Sequence, residues 1–254
     1  MISKAKIKYI RSLEMKKNRT AEGVFVAEGP KVVGDLLATM RPRLVAGTDE
    51  WFYKASDIIP DVETIKVSEE ELRRISFLQT PQQVLAVFEI PKCHHEAINE
   101  AGKKLALALD GVQNPGNLGT IIRIADWFGI ENIYCSHDTA DAYNPKVVQA
   151  TMGSIARVNI IYTNLTEMLS PLSDNVPVYG TLLDGNDIYS SELSNHGIIV
   201  MGNEGNGISE NVRRLVNRRL LIPNFSISAD KAESLNVAIA TAITCSEFRR
   251  RNKI

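Results

Sequence analysis

The feature that most constrains the fold is a regular alternation of apolar runs and amphipathic segments from residue 105 onward. Leu105–Leu109 has the pattern of a buried strand, and a helix over 118–128 and a strand over Asn132–Cys135 follow it. The alternation continues to a long helix predicted from 235 to about 250. Strands that alternate with helices indicate a mainly parallel sheet with helices on both faces.

The first 90 residues predict a smaller α/β unit. Its predicted helices cover 3–17, 30–40 and 68–75, and its predicted strands cover 24–27, 44–47 and 84–90. Residues 91–104 are polar and contain proline and glycine, which is typical of a linker. The predicted organisation is therefore a small α/β domain at 1–90, a linker at 91–104 and a larger α/β domain at 105–254.

The composition, with 44% hydrophobic and 23% charged residues, is that of an ordinary globular protein. No apolar run approaches the roughly 20 residues of a membrane helix, so no membrane partner is expected. A polar, lysine-rich N-terminus and three widely spaced cysteines favour a cytoplasmic protein with free thiols. Cys93-His94-His95 is the best metal-ligand cluster, but adjacent residues rarely converge on one ion, and no metal is expected.

The net charge of −1 conceals an uneven distribution of basic residues. The first 19 residues carry many lysines and arginines against Glu14 alone, and the C-terminus adds Arg249, Arg250, Arg251 and Lys253. Clustered positive charge on a balanced protein indicates a polyanionic partner. Either run alone is better explained as a solvated helix face or a frayed tail, whereas the two together favour nucleic acid.

Three segments rich in glycine, asparagine or serine follow predicted strands of the larger domain, at 114–119, 200–209 and 221–237. Ligands of open α/β sheets bind outside the carboxyl ends of the strands, so these segments are predicted to line one pocket. Arg123 points away from the apolar face of its predicted helix, and Asn117 lies near the start of that helix. Asn117 as a helix cap and Arg123 as an ordinary surface residue are the alternative interpretations.

A nucleotide-binding alternative has weaker support. The first segment contains Gly-x-x-Gly at Gly116 and Gly119, which is not the dinucleotide fingerprint, and no phosphate-binding Gly-Lys-Ser/Thr sequence is present. Asp138, about 20 residues downstream, would be the ribose contact in this alternative. An NAD-dependent dehydrogenase is therefore a minor alternative.

Three ordered motifs resemble those of the SpoU/TrmH-type RNA ribose 2′-O-methyltransferases of the SPOUT superfamily. They are Asn117-x5-Arg123, Met201-Gly-Asn-Glu-Gly-Asn-Gly207 and Ser234-Leu-Asn-Val237, and the resemblance covers about residues 103–250. More loosely, Phe25-Val-Ala-Glu-Gly-Pro-Lys31 resembles the start of the substrate-binding domain that often precedes the catalytic one. The resemblance implies methyl transfer from S-adenosyl-L-methionine to a ribose 2′-OH of rRNA or tRNA, a C-terminal trefoil knot and a homodimer.

The resemblance also implies roles for individual residues. The catalytic set is Arg123, Asn117, Glu204 and Asn236, and the cofactor-binding set is Thr181, Gly202, Glu204, Ile222, Ser234 and Leu235. In the smaller domain, RNA phosphates are expected to contact Lys4, Lys8, Arg11, Lys16, Lys17 and Arg19. Because a guanidinium is a poor base, Arg123 is expected to bind a neighbouring phosphate and to orient the 2′-OH.

The sequence departs from the family pattern at three places. Asn114 replaces a frequent aspartate, Ile124 replaces the usual threonine, and the segment 224–233 is longer than expected and lacks a glycine. These differences concern the cofactor lid and leave every proposed catalytic side chain present. A non-catalytic RNA-binding protein with the same fold is the second hypothesis, which loss of Arg123, Glu204 or Asn236 would have favoured.

Overall fold

The computed structural model describes residues 1–55, 61–91, 101–172, 175–226 and 233–251. Contacts between Cα atoms divide the chain into two units, one of residues 1–92 and 141–156 and the other of residues 93–140 and 157–254. The segment 141–156 thus shares its contacts with the N-terminal part of the chain. Most of the predicted linker, residues 92–100, lies outside the described residues.

The first unit has a four-stranded sheet in the order β1-β4-β2-β3. Its strands are Val24–Glu28 (β1), Pro42–Gly47 (β2), Glu63–Lys66 (β3) and Val84–Glu89 (β4), and its helices are Lys4–Ser12 (α1), Lys16–Glu22 (α2), Pro30–Leu37 (α3), Asp49–Lys54 (α4), Glu69–Ile75 (α5) and Pro145–Ala150 (α7). The strand β4 is antiparallel to β1 and β2, whereas β2 and β3 are parallel. Consequently β1, β2 and β3 run in one direction and end at the same edge.

The helix predicted over 3–17 is two helices, because the chain turns at Leu13–Met15. The turn leaves carbonyl groups without helical partners. The Arg19 guanidinium donates to the carbonyls of Leu13 and Glu14, each at 2.7 Å, and the Asn18 amide donates to that of Ser12 at 2.7 Å. Side chains of α2 therefore satisfy the end of α1, as a helix terminus requires.

The helix α5 begins as its sequence predicts. The Ser68 hydroxyl accepts from the Glu71 N–H at 3.2 Å, and the Glu71 carboxylate accepts from the Ser68 N–H at 3.0 Å. This reciprocal pair is a capping box. The apolar side of α5 packs against α1 and the sheet. The core that they form includes Ile10, Leu13, Val26, Leu72 and Val87. The helix α4 and the strand β3 were not predicted.

The second unit has a six-stranded sheet in the order β10-β8-β9-β5-β6-β7, and every neighbouring pair is parallel. Its strands are Leu105–Leu109 (β5), Asn132–Cys135 (β6), Asn159–Tyr162 (β7), Val178–Asp187 (β8), Gly197–Met201 (β9) and Arg218–Leu221 (β10), and its helices are Pro115–Trp127 (α6), Leu165–Leu169 (α8), Glu210–Arg213 (α9) and Val237–Arg251 (α10). The predicted two-unit α/β fold with a mainly parallel sheet is confirmed.

The strand order reverses between β5 and β9. From β5 the chain adds β6 and β7 on one side, and it then returns to place β9 and β8 on the other side. The loops after β5 and β9 therefore flank a topological switch point, where open α/β sheets bind ligands. The Asp110 carboxylate, directly after β5, accepts from the Ser209 N–H at 2.7 Å and ties these loops together.

Two boundaries differ from the prediction in ways that concern the site. The helix α6 begins at Pro115, because the Asn114 side chain accepts from the N–H groups of Gly116 and Asn117 and caps it. Asn117 is therefore inside the first turn and is not the cap. The strand β8 continues past 181, and its pairing with β10 shifts register between Gly180 and Asn186.

Candidate active site

Glu204 lies in the loop after β9, and its carboxylate closes the N-terminal end of α6. Its Oε1 accepts from the Asn117 side-chain amide at 2.9 Å and from the Asn114 N–H at 3.1 Å, and Oε2 accepts from the Gln113 N–H at 3.3 Å. Partial desolvation raises the pKa of the Glu204 carboxyl. The hydrogen bonds together outweigh it, so this pKa lies below its ordinary value and the group is ionised at neutral pH.

Asn236 connects this cluster to the last helix. Its side-chain Nδ2 donates to Asn117 Oδ1 at 2.9 Å. Its Oδ1 accepts from the N–H groups of Ala238 at 3.0 Å and Ile239 at 3.3 Å, which caps α10. Glu204, Asn117 and Asn236 therefore form one continuous chain of hydrogen bonds, which joins the segments after β5, after β9 and before α10.

Asn203 has a positioning role that the sequence did not reveal. Its Nδ2 donates to the Gly111 carbonyl at 2.7 Å, and its Oδ1 accepts from the N–H groups of Gly205 at 2.9 Å and Asn206 at 3.0 Å. Its backbone forms two further hydrogen bonds with Gly207, at 2.9 and 3.0 Å. Asparagine side chains favour such turns with backbone N–H groups two or three residues on, so the residue type itself was a signal in the sequence.

Arg123 does not belong to this hydrogen-bonded chain. It lies about 9 Å along α6 from Asn117 and about 120° around the helix, given ideal helix geometry. Its side chain is exposed, on the same stripe of α6 as the exposed Thr120 and Trp127. Among the described residues, no side chain or carbonyl is bonded to the Arg123 guanidinium, so its donors are open to a ligand.

The residues predicted to bind a cofactor lie in β8 or in the segments that follow β9 and β10. Thr181 Oγ1 donates to the Val200 carbonyl at 3.2 Å, within the carboxyl end of the sheet. Gly202 follows β9, and a Cβ there would lie 2.2 Å from the Gly207 carbonyl carbon, so only glycine fits. Ile222 is half-buried, and Ser234 and Leu235 are exposed in the segment before α10.

The basic N-terminal residues divide into two groups. Lys4, Lys8, Lys16 and Lys17 are exposed. Arg11 is engaged in part, because its Nη1 donates to the Ser76 carbonyl at 2.6 Å and its guanidinium lies 4.9 Å from the Phe77 ring centroid. The prediction for Arg19 was wrong, since its side chain is 2% exposed and cannot reach an RNA phosphate.

Burial of Arg19 has a definite physical cause. Besides its two carbonyl partners in the α1–α2 turn, its guanidinium pairs with the Asp141 carboxylate, whose side chain is 16% exposed. Its Nε has no hydrogen-bond partner among the described residues. The residue therefore holds the α1–α2 turn against the segment 141–156 within the first unit.

The C-terminal arginines are also engaged. Arg249 donates to the carbonyls of Phe128 at 2.7 Å and Gly129 at 2.9 Å, at the end of α6. Arg251 donates to the Ser191 carbonyl at 2.6 Å, and both Arg250 and Arg251 pair with Glu247. The hydrogen bond from Arg250 and then that from Arg251 lower the pKa of the Glu247 carboxyl to about 2, against the effect of desolvation.

Within the described ranges, no helix is both long and apolar enough to cross a bilayer. In the same part of the chain, no group of three or more His, Cys, Asp or Glu side chains is arranged to hold a metal ion. The Cys93-His94-His95 cluster lies outside the described residues.

Comparison with known families accounts for both units. Residues 104–246 match the SpoU rRNA Methylase family, and residues 4–86 match the MRM3-like substrate binding domain. Among curated proteins, the chain is 34% identical over 251 residues to the 23S rRNA (guanosine(2553)-2′-O)-methyltransferase of Bacillus subtilis, with 96% of each chain covered.

Solved structures agree with this match. A protein of the TrmH family from Porphyromonas gingivalis is 43% identical, with a TM-score of 0.88 and 99% of each chain covered. An AdoMet-bound rRNA methyltransferase from Sinorhizobium meliloti is 31% identical, with a TM-score of 0.86, 99% of this chain covered and 96% of that one.

Proposed function

Because the chain belongs to the SpoU rRNA Methylase family, we propose that it transfers a methyl group from S-adenosyl-L-methionine to a ribose 2′-OH of ribosomal RNA. The observation that carries this proposal is the hydrogen-bonded chain Glu204–Asn117–Asn236, which holds all three motif segments together at the switch point. The choice of ribosomal over transfer RNA rests on the substrates that the names of relatives state.

In our proposal the cofactor binds near the carboxyl ends of β8 and β10, and exposed apolar side chains in these segments support it. Leu183, in the stretch of β8 where pairing with β10 is interrupted, is 75% exposed, and Leu235 is 51% exposed. Phe225, after β10, is 81% exposed. Exposed apolar side chains of this kind suit the adenosine part of S-adenosyl-L-methionine. We assign its binding to Thr181, Gly202, Glu204, Ile222, Ser234 and Leu235.

When bound, S-adenosyl-L-methionine supplies an activated methyl group with a good leaving group. The protein must then align the 2′-OH with that methyl group and assist loss of the hydroxyl proton. Arg123 binds the neighbouring RNA phosphate and orients the ribose, since its planar fork of donors matches a phosphate. The proton leaves through the phosphate or water, because a guanidinium stays protonated.

The roles of the amide pair follow from its contacts. Asn117 is held on one side by Glu204 and on the other by Asn236, so its position is defined before substrate binds. Glu204 uses both carboxylate oxygens in this clamp, and in our proposal it positions the first motif and also borders the cofactor. Asn236 fixes the start of α10 beside the cofactor segment.

Exposed lysines of the first unit contribute to RNA binding in this proposal. Lys4, Lys8, Lys16 and Lys17 contact phosphates, and Arg11 has fewer donors to offer. Such contacts release counterions, so methyl transfer is expected to fall steeply as the salt concentration rises. A flat salt profile would remove this role.

The finer features implied by the family are also part of the proposal. They are a trefoil knot in the C-terminal part of the chain, a homodimer and a cytoplasmic location. Support for a dimer comes from Trp127 and Ile239, which are 84% and 52% exposed on α6 and α10, two helices that pack on each other. Sedimentation of Ile239→Asp beside the unmodified protein tests the dimer, and an unchanged mass would contradict this interface.

The activity is tested by incubating the protein with unmodified 23S rRNA and methyl-labelled S-adenosyl-L-methionine, followed by mapping of the methylated ribose. Arg123→Lys is expected to slow single turnover by about a hundredfold, since it keeps the charge and loses the two-point contact. Arg214→Lys, at an exposed arginine of α9's C-terminal end, is the matched control. RNA binding without label incorporation would support the non-catalytic hypothesis, and binding of NAD instead of S-adenosyl-L-methionine would support the dehydrogenase.

A further inference from the structure

A cleft of about 610 Å³ opens in the first unit at the edge where β1, β2 and β3 end. Pro30, Thr48 and Val67 line it, and each follows the end of one of these strands by one or two residues. Gln83, which directly precedes β4, completes this edge. Open α/β sheets bind ligands outside the carboxyl ends of their strands, so this cleft has the position of a ligand site.

The cleft combines an apolar floor with a polar rim. Val67 and Leu72 lie buried beneath it, and Pro30 and Pro81 add apolar surface. Polar groups are provided around these residues by Ser68, Glu69, Arg73, Gln82 and Gln83. Such a surface suits a planar heterocycle, whose faces contact carbon atoms while its edge makes hydrogen bonds.

Two charged groups of the rim are available to a ligand. Glu69 and Arg73 are exposed and lie one turn apart on α5, where an ion pair would be expected. In the described part of the chain, neither side chain makes a hydrogen bond or an ion pair. By contrast, Asp49 in the same lining pairs with Lys66 at 2.9 Å.

The charge of the lining argues against a phosphate as the ligand. It contains three carboxylates and one guanidinium, that of Arg73. Asp49 and Glu50 are paired with Lys66 and Lys54, which leaves Glu69 as the carboxylate of the lining without an ion pair among the described residues. Carboxylates repel a phosphate but accept hydrogen bonds from the N–H groups of a base. A ligand that has hydrogen-bond donors on one edge and acceptors on another can therefore donate to the Glu69 carboxylate and accept from the Arg73 guanidinium.

One wall of the cleft is the segment 76–83, which carries Gln82 and Gln83, and hydrogen bonds hold this segment at both ends. Glu28, at the end of β1, is 5% exposed; it accepts from the Ser76 hydroxyl and, at 2.8 Å, from the Phe77 N–H. At the other end, the Gln83 carbonyl accepts from the Thr48 N–H at 2.8 Å. A cleft whose wall is fixed before binding loses less entropy when a ligand enters.

We propose that this cleft binds an unpaired nucleobase of the RNA substrate, with guanine as the best fit. Guanine offers N–H donors to the Glu69 carboxylate and the O6 and N7 acceptors to the Arg73 guanidinium. Proteins read RNA sequence mainly in unpaired bases, and the substrate-binding match at residues 4–86 contains the whole cleft. The proposal rests on RNA being the substrate, and it assigns a contact separate from the methylated nucleotide.

The test uses fluorescent single-stranded RNA hexamers of sequence UUUUUU, UUGUUU, UUAUUU and UUCUUU with the full chain, without cofactor. The guanine hexamer is expected to bind about tenfold more tightly than UUUUUU, as one good bidentate base contact provides. Glu69→Gln and Arg73→Ala are each expected to remove this preference. The matched controls Glu70→Gln and Arg74→Ala change exposed residues of the same helix that do not line the cleft, and both are expected to keep it.

Each outcome decides the proposal. A guanine preference that survives in Glu69→Gln and Arg73→Ala would place base recognition elsewhere and overturn it, as would equal binding of all four hexamers. Equal losses in the Arg73→Ala and Arg74→Ala variants would show only general charge attraction. Methyl transfer by the unmodified protein is measured separately, so loss of the cleft proposal and loss of the proposed activity are distinguished.

Discussion

The first 19 residues and the last helix are both rich in basic residues, yet the structure uses them differently. In the first region Lys4, Lys8 and Lys17 extend into solvent. In the second, Arg249 and Arg251 are used in hydrogen bonds to backbone carbonyls. A basic run in a sequence therefore indicates positive charge without showing whether that charge is free to bind an anion.

The difference follows from side-chain chemistry and position. A guanidinium has five donors in a planar fork, so one arginine can satisfy several carbonyls that a helix end leaves unpaired. Arg249 does this at the end of α6, and Arg19 does it at the α1–α2 turn. A lysine ammonium is compact and strongly hydrated, and it favours the surface. Arg19 and Arg249 thus stabilise the fold, whereas Lys4, Lys8 and Lys17 extend into solvent, where our proposal places RNA.

The sharpest test of this difference between arginines and lysines is the substitution Arg19→Ala. In the sequence, Arg19 stands in the same basic run as Lys16 and Lys17. We expect the free energy of unfolding to fall by about 3–5 kcal/mol, because the change removes the buried Arg19 guanidinium with its two carbonyl contacts and leaves the half-buried Asp141 carboxylate without its ion pair. Urea denaturation measures it. A stable variant with weakened RNA binding would instead place Arg19 among the residues that bind RNA.

Arg249→Ala tests the other region. Loss of its hydrogen bonds to Phe128 and Gly129 is expected to lower the unfolding free energy by about 1–3 kcal/mol, measured by urea denaturation. Arg214→Ala is the control, since the Arg214 side chain is 71% exposed and pairs with Glu210, which is itself 66% exposed. Equal effects of the two substitutions would show that charge, and not the carbonyl contact, matters.

A smaller effect is expected for the pH dependence of stability that comes from Glu247 and its partners Arg250 and Arg251. The pKa of Glu247 is lowered to about 2 from the ordinary 4.5, so its contribution to stability is present above pH 4.5 and is lost as the pH falls toward 2. Glu247→Gln is expected to flatten the stability profile in this window, as followed by thermal unfolding. The Glu210→Gln variant, with an exposed carboxylate, is expected to retain the slope.

The smallest change in stability is expected for the double substitution of Lys8 and Lys17 by alanine, within about 0.5 kcal/mol. RNA binding should weaken nonetheless, and the slope of log K against log salt concentration should decrease by about 2, one for each lost phosphate contact. Filter binding at several salt concentrations measures the slope. An unchanged slope would mean that neither lysine contacts RNA and that the two basic regions do not differ in function.

The candidate site was largely predictable because its residues come from three short segments, each placed after a strand. Their spacing and order indicated the family, and parallel strands bring their carboxyl ends to one edge. The partners of each residue were not predictable, since Asn117 and Asn236 are 119 positions apart and meet only when α6 and α10 pack. The cap of α6 is a local feature by contrast: Asn114 directly precedes Pro115, a favoured first helical residue, and this signal was available in the sequence.

By itself the sequence determined the order of strands and helices in the second unit, the parallel α/β class and the residue types at the site, because these depend on local apolar periodicity and short motifs. Tertiary structure decided which polar groups have partners. It buried Arg19 against Asp141, joined Glu204 to Asn117 and left Arg123 exposed. The physical reason is that carbonyls and carboxylates removed from water must be hydrogen-bonded, and distant side chains supply those bonds only after the chain has folded.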